Sequence, residues 1–347
     1  MDILTTLDPG ADYSSRRLQL IIGAWVMSGL FDRADKVSLA TGHVAEEDYA
    51  KQSIYSLLYS MYRTIGVVRT EHDEAYEFTF NTWGYSWPDG WGEAPTTGTD
   101  PERFGKNAYT GLFAFDAVEE YVRERDGRVH IVEMGCGTGG GANHICTQVL
   151  PDCTYRAIDM QRAAIQTCER KFVPALDGRL VATWGDATEV PLDEGSADFV
   201  VICETHITEY AGRVSAEDAK FFQAVVRALK PGGFLVWGNA IPDSTWEPCF
   251  EHLASIGMEV VESRDVTPQA VLARDEDEPR VQAYVDQCTS RFAAFRIPFI
   301  GRRKRIQAEL ALKNFYRNPG TNLYANMTDG TDSYRVVLAR KVVHPSQ

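Results

Sequence analysis

The sequence has no pair of cysteines spaced Cys-x-x-Cys, and its seven cysteines, at 136, 146, 153, 168, 203, 249 and 288, are an odd number. That excludes a zinc ribbon and argues against a disulfide framework, so a reducing, cytoplasmic location is expected. No apolar run reaches the roughly 20 residues that cross a bilayer. The longest, 18–31, is interrupted by Gln19, Gly23, Ser28 and Gly29 and reads as a buried or interfacial helix. The start of the chain lacks a basic region, and a secretory signal is not expected. Positive charge is also short: 35 Lys and Arg against 49 Asp and Glu give a formal net charge of −14 over 347 residues. A chain of that sign repels phosphate polymers, which disfavours nucleic acid as a partner. There is no His-x-x-x-His pair and no Cys cluster, so no metal is expected in the site. An apolar fraction of 44% supports a packed core.

Apolar residues recur at helical spacing in Leu18, Ile21, Ile22, Trp25 and Val26, and again in Ile54, Leu57, Leu58, Met61 and Tyr62. Residues 1–108 are therefore read as a helical and aromatic N-terminal cap. It ends in a turn-rich stretch, Phe80-Asn-Thr-Trp-Gly-Tyr-Ser-Trp-Pro-Asp-Gly-Trp91. There Trp83, Tyr85, Trp87 and Trp91 stand among Gly, Pro and Asn, a pattern that packs rings rather than forming a regular element. From 109 to 265 short β-branched runs alternate with helical stretches. Strands are expected at 130–134, 154–158, 180–184, 198–203, 233–238 and 258–262, and helices at 141–149, 161–172 and 216–229. That alternation implies βαβ units, an α/β fold and a mostly parallel sheet. Residues 266–332 return to helix as an insertion, with a charged turn at 274–279 and a basic run at 302–305 that fits a solvated helix face better than an anion site. The segment 333–347 holds a last core strand and a tail.

The run Val132-Glu-Met-Gly-Cys-Gly-Thr-Gly-Gly-Gly-Ala142 follows a strand and opens a helix. Gly135, Gly137 and Gly139 remove side chains that would block a ligand from the backbone, and the helix start favours an anionic group. The letters alone fit either a dinucleotide or S-adenosyl-L-methionine. Three features decide between them. Asp159, 20 residues beyond Gly139, ends the next strand where a carboxylate accepts from ribose hydroxyls. Asp186, in Trp184-Gly-Asp-Ala187, can accept from the adenine amine while the Ala187 N–H donates to the ring. Leu229-Lys-Pro-Gly-Gly-Phe234 supplies a sharp helix-to-strand turn. A dehydrogenase is the weaker reading, because no Tyr-x-x-x-Lys exists and Glu133 would sit badly beside a pyrophosphate.

These motifs resemble the class I S-adenosylmethionine-dependent methyltransferases over about 110 consecutive residues. The resemblance implies a Rossmann-like, seven-stranded, mostly parallel sheet with S-adenosyl-L-methionine as cofactor. It further implies that Glu133 orients the glycine loop near the methionine amine. Phe80–Trp87, Gly135–Ile145, Cys203–Tyr210 and the final Asn322–Lys341 segment also look like the phthiotriol and phenolphthiocerol methyltransferase family and related natural-product enzymes, from 80 to 341. In that family the segment holding Trp83 and Tyr85 lies against the cofactor. The expected cofactor contacts are Glu133, Gly135, Cys136, Gly137, Gly139, Asp159, Met160, Asp186, Ala187, Glu204 and Tyr85.

Methyl transfer is an in-line displacement, so the protein must align the acceptor, remove its proton and exclude water. The carboxyl end of the fourth strand reads Cys203-Glu-Thr-His-Ile-Thr-Glu-Tyr210. His206 is the candidate general base, since a free imidazole titrates near about 6.5. Glu204 would contact cofactor or polarise His206, and Tyr210 and Glu209 are alternates. Trp83, Trp87, Trp91 and His206 are the expected substrate contacts. The leading function is transfer of a methyl group to oxygen or an activated carbon of a small hydrophobic or aromatic natural product. Methylation of an electron-rich ring carbon such as indole, or of nitrogen, stays open, as does a noncatalytic or cyclase-type cofactor-binding protein. The expected partner is a small molecule, with no membrane span and a homodimer compatible with the sequence.

Overall fold

The computed structural model describes residues 79–343, except 97, 99, 206–212 and 292–299, together with the pairs 68–69 and 75–76. The helices expected within 18–31 and 54–62 lie outside the described residues. The chain divides into two compact units, Thr79–Ala273 with Asp329–Gln347, and Met1–Phe78 with Arg274–Thr328.

The first unit is built on seven strands: β1 (His130–Met134), β2 (Thr154–Asp159), β3 (Leu180–Trp184), β4 (Ala197–Cys203), β5 (Leu229–Pro242), β6 (Met258–Asp265) and β7 (Asp332–Lys341). Their order across the sheet is β3-β2-β1-β4-β5-β7-β6, parallel from β3 to β5 and antiparallel on both sides of β7. The fold class read from the motifs is the one observed. Central β4 is buried at every residue, as a parallel strand covered on both faces must be. Against the sheet lie α1 (Arg103–Gly111), α2 (Asp116–Arg123), α3 (Gly140–His144), α4 (Arg162–Lys171), α5 (Ala216–Ala228) and α6 (Trp246–Ser255). The core gathers Val200, Ile202, Phe222, Trp237, Trp246 and Leu253. Helix α5 starts on a capping box in which the Ser215 hydroxyl accepts from Asp218 N–H and the Asp218 carboxylate accepts from Ser215.

Two elements of this unit differ from expectation. The helix after the glycine loop stops at His144 and continues as a π-turn, Ile145–Val149, closed by Leu150 N–H donating to the Ile145 carbonyl at 2.8 Å. Strand β5 begins at Leu229 rather than at 233. The pairing jumps from Ala197–Leu229 to Phe199–Phe234, so the Pro-Gly-Gly turn survives as an irregularity inside the strand.

The second unit holds the ribbon Val68–Arg69 with Ala75–Tyr76, the part of α7 (Thr267–Arg291) from Arg274 onward, α8 (Ile300–Phe315) and α9 (Asn322–Thr328). The charged turn expected at 274–279 is instead the interior of α7, with Pro279 inside the helix. Arg274, Asp277 and Arg280 recur every three residues on one helix face. Arg274 and Asp277 are buried, and Arg280 donates to both Asp277 oxygens at 2.5 Å. Charges that pair along a helix face stabilise the helix that a composition reading would end. In the basic run, Arg302 and Arg305 are exposed, and Arg305 pairs with Glu309 at 2.6 Å. None of the described helices is long and apolar enough to cross a membrane.

Candidate active site

The carboxyl ends of β1, β2, β3 and β4 converge around the glycine loop. The loop turns away from β1 with left-handed backbone at Gly135, Gly137 and Gly139 (φ 90°, 54° and 86°). Gly135 N–H and Cys136 N–H both donate to the Ile158 carbonyl, at 2.8 and 2.9 Å, which stitches the loop to β2. One Asp159 oxygen accepts from Gly137 N–H at 2.8 Å and the other from Gln161 N–H at 2.7 Å. Asp159 thus holds the loop and the start of α4 at once. A carboxylate has about four acceptor positions, so two remain for a ligand. Burial pushes its pKa up to about 6.

Beside Asp159 two large apolar side chains stand in solvent, Met160 at 43% and Trp184 at 51% exposure. Asp159 and Trp184 are register partners, and the indole N–H donates to the Met160 carbonyl at 3.0 Å. Arg162 stacks on the same indole, 5.1 Å from its centroid. At Asp186 one oxygen accepts from Thr188 N–H and the Thr188 hydroxyl, at 2.8 and 2.9 Å, closing its own turn. Ala187 is buried.

Glu133 has no exposed surface. Its oxygens accept from the Tyr109 and Tyr155 hydroxyls at 2.8 and 3.0 Å, and burial raises its pKa to about 7. It ties β1 to Tyr109 of α1 and to Tyr155 of β2. Cys136 is sealed as well, and burial pushes its thiol well above the ordinary range. Glu204 directly follows the last residue of β4. It stands in the left-handed region at φ 50°, and its carboxylate accepts from Trp83 N–H at 2.7 Å, Gly84 N–H at 2.9 Å and the Tyr334 hydroxyl at 2.7 Å. Three donors turn this carboxylate into an anchor for the aromatic stretch. Tyr85 has no exposed surface and packs edge-on against Tyr334 and Trp91. Its ring joins the aromatic stretch to β7. Trp87 and Trp91 meet edge-to-face at 5.6 Å, and Arg264 covers Trp91. His206, Glu209 and Tyr210 lie outside the described residues.

A family model described as a methyltransferase domain matches residues 131–233, which hold the glycine loop and all four strand ends. This stretch is a methyltransferase domain. Over 174 residues the sequence is 28% identical to the phthiotriol/phenolphthiotriol dimycocerosates methyltransferase 1 of Mycobacterium ulcerans, covering 50% of this chain and 60% of that protein. It is 25% identical over 216 residues to the corresponding Mycobacterium tuberculosis enzyme, covering 62% and 70%. The alignment with the first of these spans less than two thirds of its length. Among solved structures, a Galdieria sulphuraria protein assigned as a sarcosine dimethylglycine methyltransferase superposes with a TM-score of 0.53 at 13% identity, over 75% of this chain and 93% of that one. That likeness concerns the fold.

The cofactor of the methyltransferase domain is S-adenosyl-L-methionine, and the residues present fit it. Asp159 offers two spare acceptor positions for vicinal hydroxyls, and Met160 and Trp184 offer exposed apolar surface beside them for a flat base. The absent side chains at Gly135 and Gly139 let the loop close tightly on Thr205 and Cys168, which fixes its backbone beside Asp159. Because hydroxyl donors favour the ionised carboxyl, cofactor binding should draw the Asp159 pKa below its free value of about 6. Affinity for S-adenosylhomocysteine is therefore expected to fall as pH drops through about 6 and to level off above it. Calorimetry from about pH 5 to 8 checks this, and a flat profile would remove Asp159 from the contact.

Proposed function

We propose that this methyltransferase transfers a methyl group from S-adenosyl-L-methionine to oxygen, or to an activated carbon, of a small hydrophobic or aromatic natural product. When bound, the cofactor supplies a methyl group on a sulfonium, which needs no further activation. The chain's own residues hold the cofactor, at Asp159 and the glycine loop, and present an apolar wall. The observation that carries the reading is the aromatic stretch 80–91. Glu204 ties it to the carboxyl end of β4, beside the loop, which brings Trp83 to the strand end that the acceptor must approach. The names of the relatives, which place lipid-like acceptors in enzymes of similar sequence, point the same way. His206, two residues beyond Glu204, is the proposed base for the acceptor proton. The homodimer and the cytoplasm belong to the same proposal. The odd cysteine count and the lack of a Cys-x-x-Cys pair support a reducing compartment.

Mass spectrometry of candidate metabolites for the gain of one methyl group, with S-adenosyl-L-methionine supplied, tests the function. Cofactor that binds but loses no methyl to any acceptor would favour a noncatalytic protein. His206→Ala is expected to lower kcat by about 100-fold or more, a typical share for acid–base catalysis, with S-adenosylhomocysteine affinity kept within about twofold. Parent kcat in that variant would place the base elsewhere.

A further inference from the structure

The six residues 79–84 run across the start of the domain with both ends fastened by carboxylates. At one end Glu102, just before α1, accepts from Thr79 N–H at 2.5 Å, Phe80 N–H at 2.9 Å and the Thr79 hydroxyl at 2.5 Å. At the other end Glu204 accepts from Trp83 and Gly84 N–H. Between these anchors the segment touches the glycine loop itself. The Thr138 hydroxyl, at the loop tip, donates to the Thr79 carbonyl at 2.5 Å. A Cβ at Gly140 would lie 2.5 Å from that same carbonyl, so the backbone of 79 rests directly on the first turn after the loop. The segment thus bridges the loop that follows β1 and the carboxyl end of β4.

We propose that residues 79–84 form a strap whose position sets the affinity of the glycine loop for the cofactor, with Glu102 as the positioning residue. The proposal rests on reading this loop as the S-adenosyl-L-methionine site. Glu102 touches no strand end. It acts through Thr79, which hands the constraint to Thr138 by one hydrogen bond. A single carboxylate that takes two backbone N–H groups and a hydroxyl fixes the segment at three points. Losing them frees the first residues of the strap and, through Thr138, the loop tip. A loop that must then be ordered on binding loses affinity, since ordering entropy is charged against the complex.

Calorimetry with S-adenosylhomocysteine tests this on the full chain. Glu102→Ala is expected to weaken binding about tenfold. Glu102→Gln should restore most of it, because one amide oxygen can accept both N–H groups while the amide N–H meets the Thr79 hydroxyl. Thr138→Val keeps the shape and removes only the strap-to-loop bond, and it should weaken binding about threefold or more. In turnover the loss is expected in the KM for the cofactor more than in kcat. Tryptophan emission gives a readout independent of activity: ligand addition should shift it in the parent, and by less in Glu102→Ala. Parent affinity in both Glu102→Ala and Thr138→Val would overturn the strap. If Glu102→Ala melts early, Thr138→Val alone decides. A parent protein that ignores S-adenosylhomocysteine overturns the site itself, and the strap with it.

Discussion

Asp159→Ala is expected to bind S-adenosylhomocysteine about 5- to 150-fold more weakly than the parent, the range that corresponds to losing about 1–3 kcal/mol. The effect has two sources on the same side chain. The acceptor for the ligand's hydroxyl protons disappears, and Gly137 N–H loses the partner that fixes the middle of the loop. Gln161 N–H is released as well, which loosens the start of α4. Asp159→Asn separates the sources. Its amide oxygen can still accept one backbone N–H, but its nitrogen cannot accept at all. Asparagine should therefore recover folding stability better than affinity. Calorimetry beside thermal melting reads both, and unchanged affinity in the alanine variant would sink the assignment.

Gly139→Ala is expected to cost about 2–5 kcal/mol of folding stability and to abolish measurable cofactor binding. Gly139 sits at φ 86°, where a Cβ costs about 1–2 kcal/mol. An added Cβ would also lie 2.4 Å from the Cys168 sulfur and 3.0 Å from its Cβ, on α4. Overpacking of that kind costs a further 1–3 kcal/mol, roughly. The two terms can be parted. Adding Cys168→Ala removes the sulfur and should return part of the loss, while the backbone term stays. Denaturant unfolding of the parent, the single variants and the pair checks this. A Gly139→Ala variant as stable as the parent would show that the loop turns differently.

The legible parts of this chain were those set by local pattern. β1 and β3 fall where alternating and β-branched runs place them, at His130–Met134 and Leu180–Trp184. The glycine loop and Asp159 follow from residue type and spacing, because a strand, a turn and a helix start are local events. What failed to show was set by distant partners. The charges at 274–279 read as a turn because their composition is polar, and only the three-residue spacing of Arg274, Asp277 and Arg280 hints at a helix face. Glu102 lies in Asp-Pro-Glu just ahead of α1. Its partners are Thr79 and Phe80, more than 20 residues away, and nothing in the sequence marks them. Glu204 was visible as an acid beside β4, but its role depends on Trp83, Gly84 and Tyr334, gathered from both sides of it in the chain.

Strand β7 enters the sheet between β5 and β6, pairing with Phe234–Pro242 on one side and Met258–Asp265 on the other. On the ribosome, then, the two strands made earlier must wait with bare hydrogen-bonding edges until residue 341 has emerged. Such edges invite pairing with other chains. A nascent protein stalled near residue 330 should be a chaperone client, and release of that client should coincide with synthesis of the final ten-residue strand.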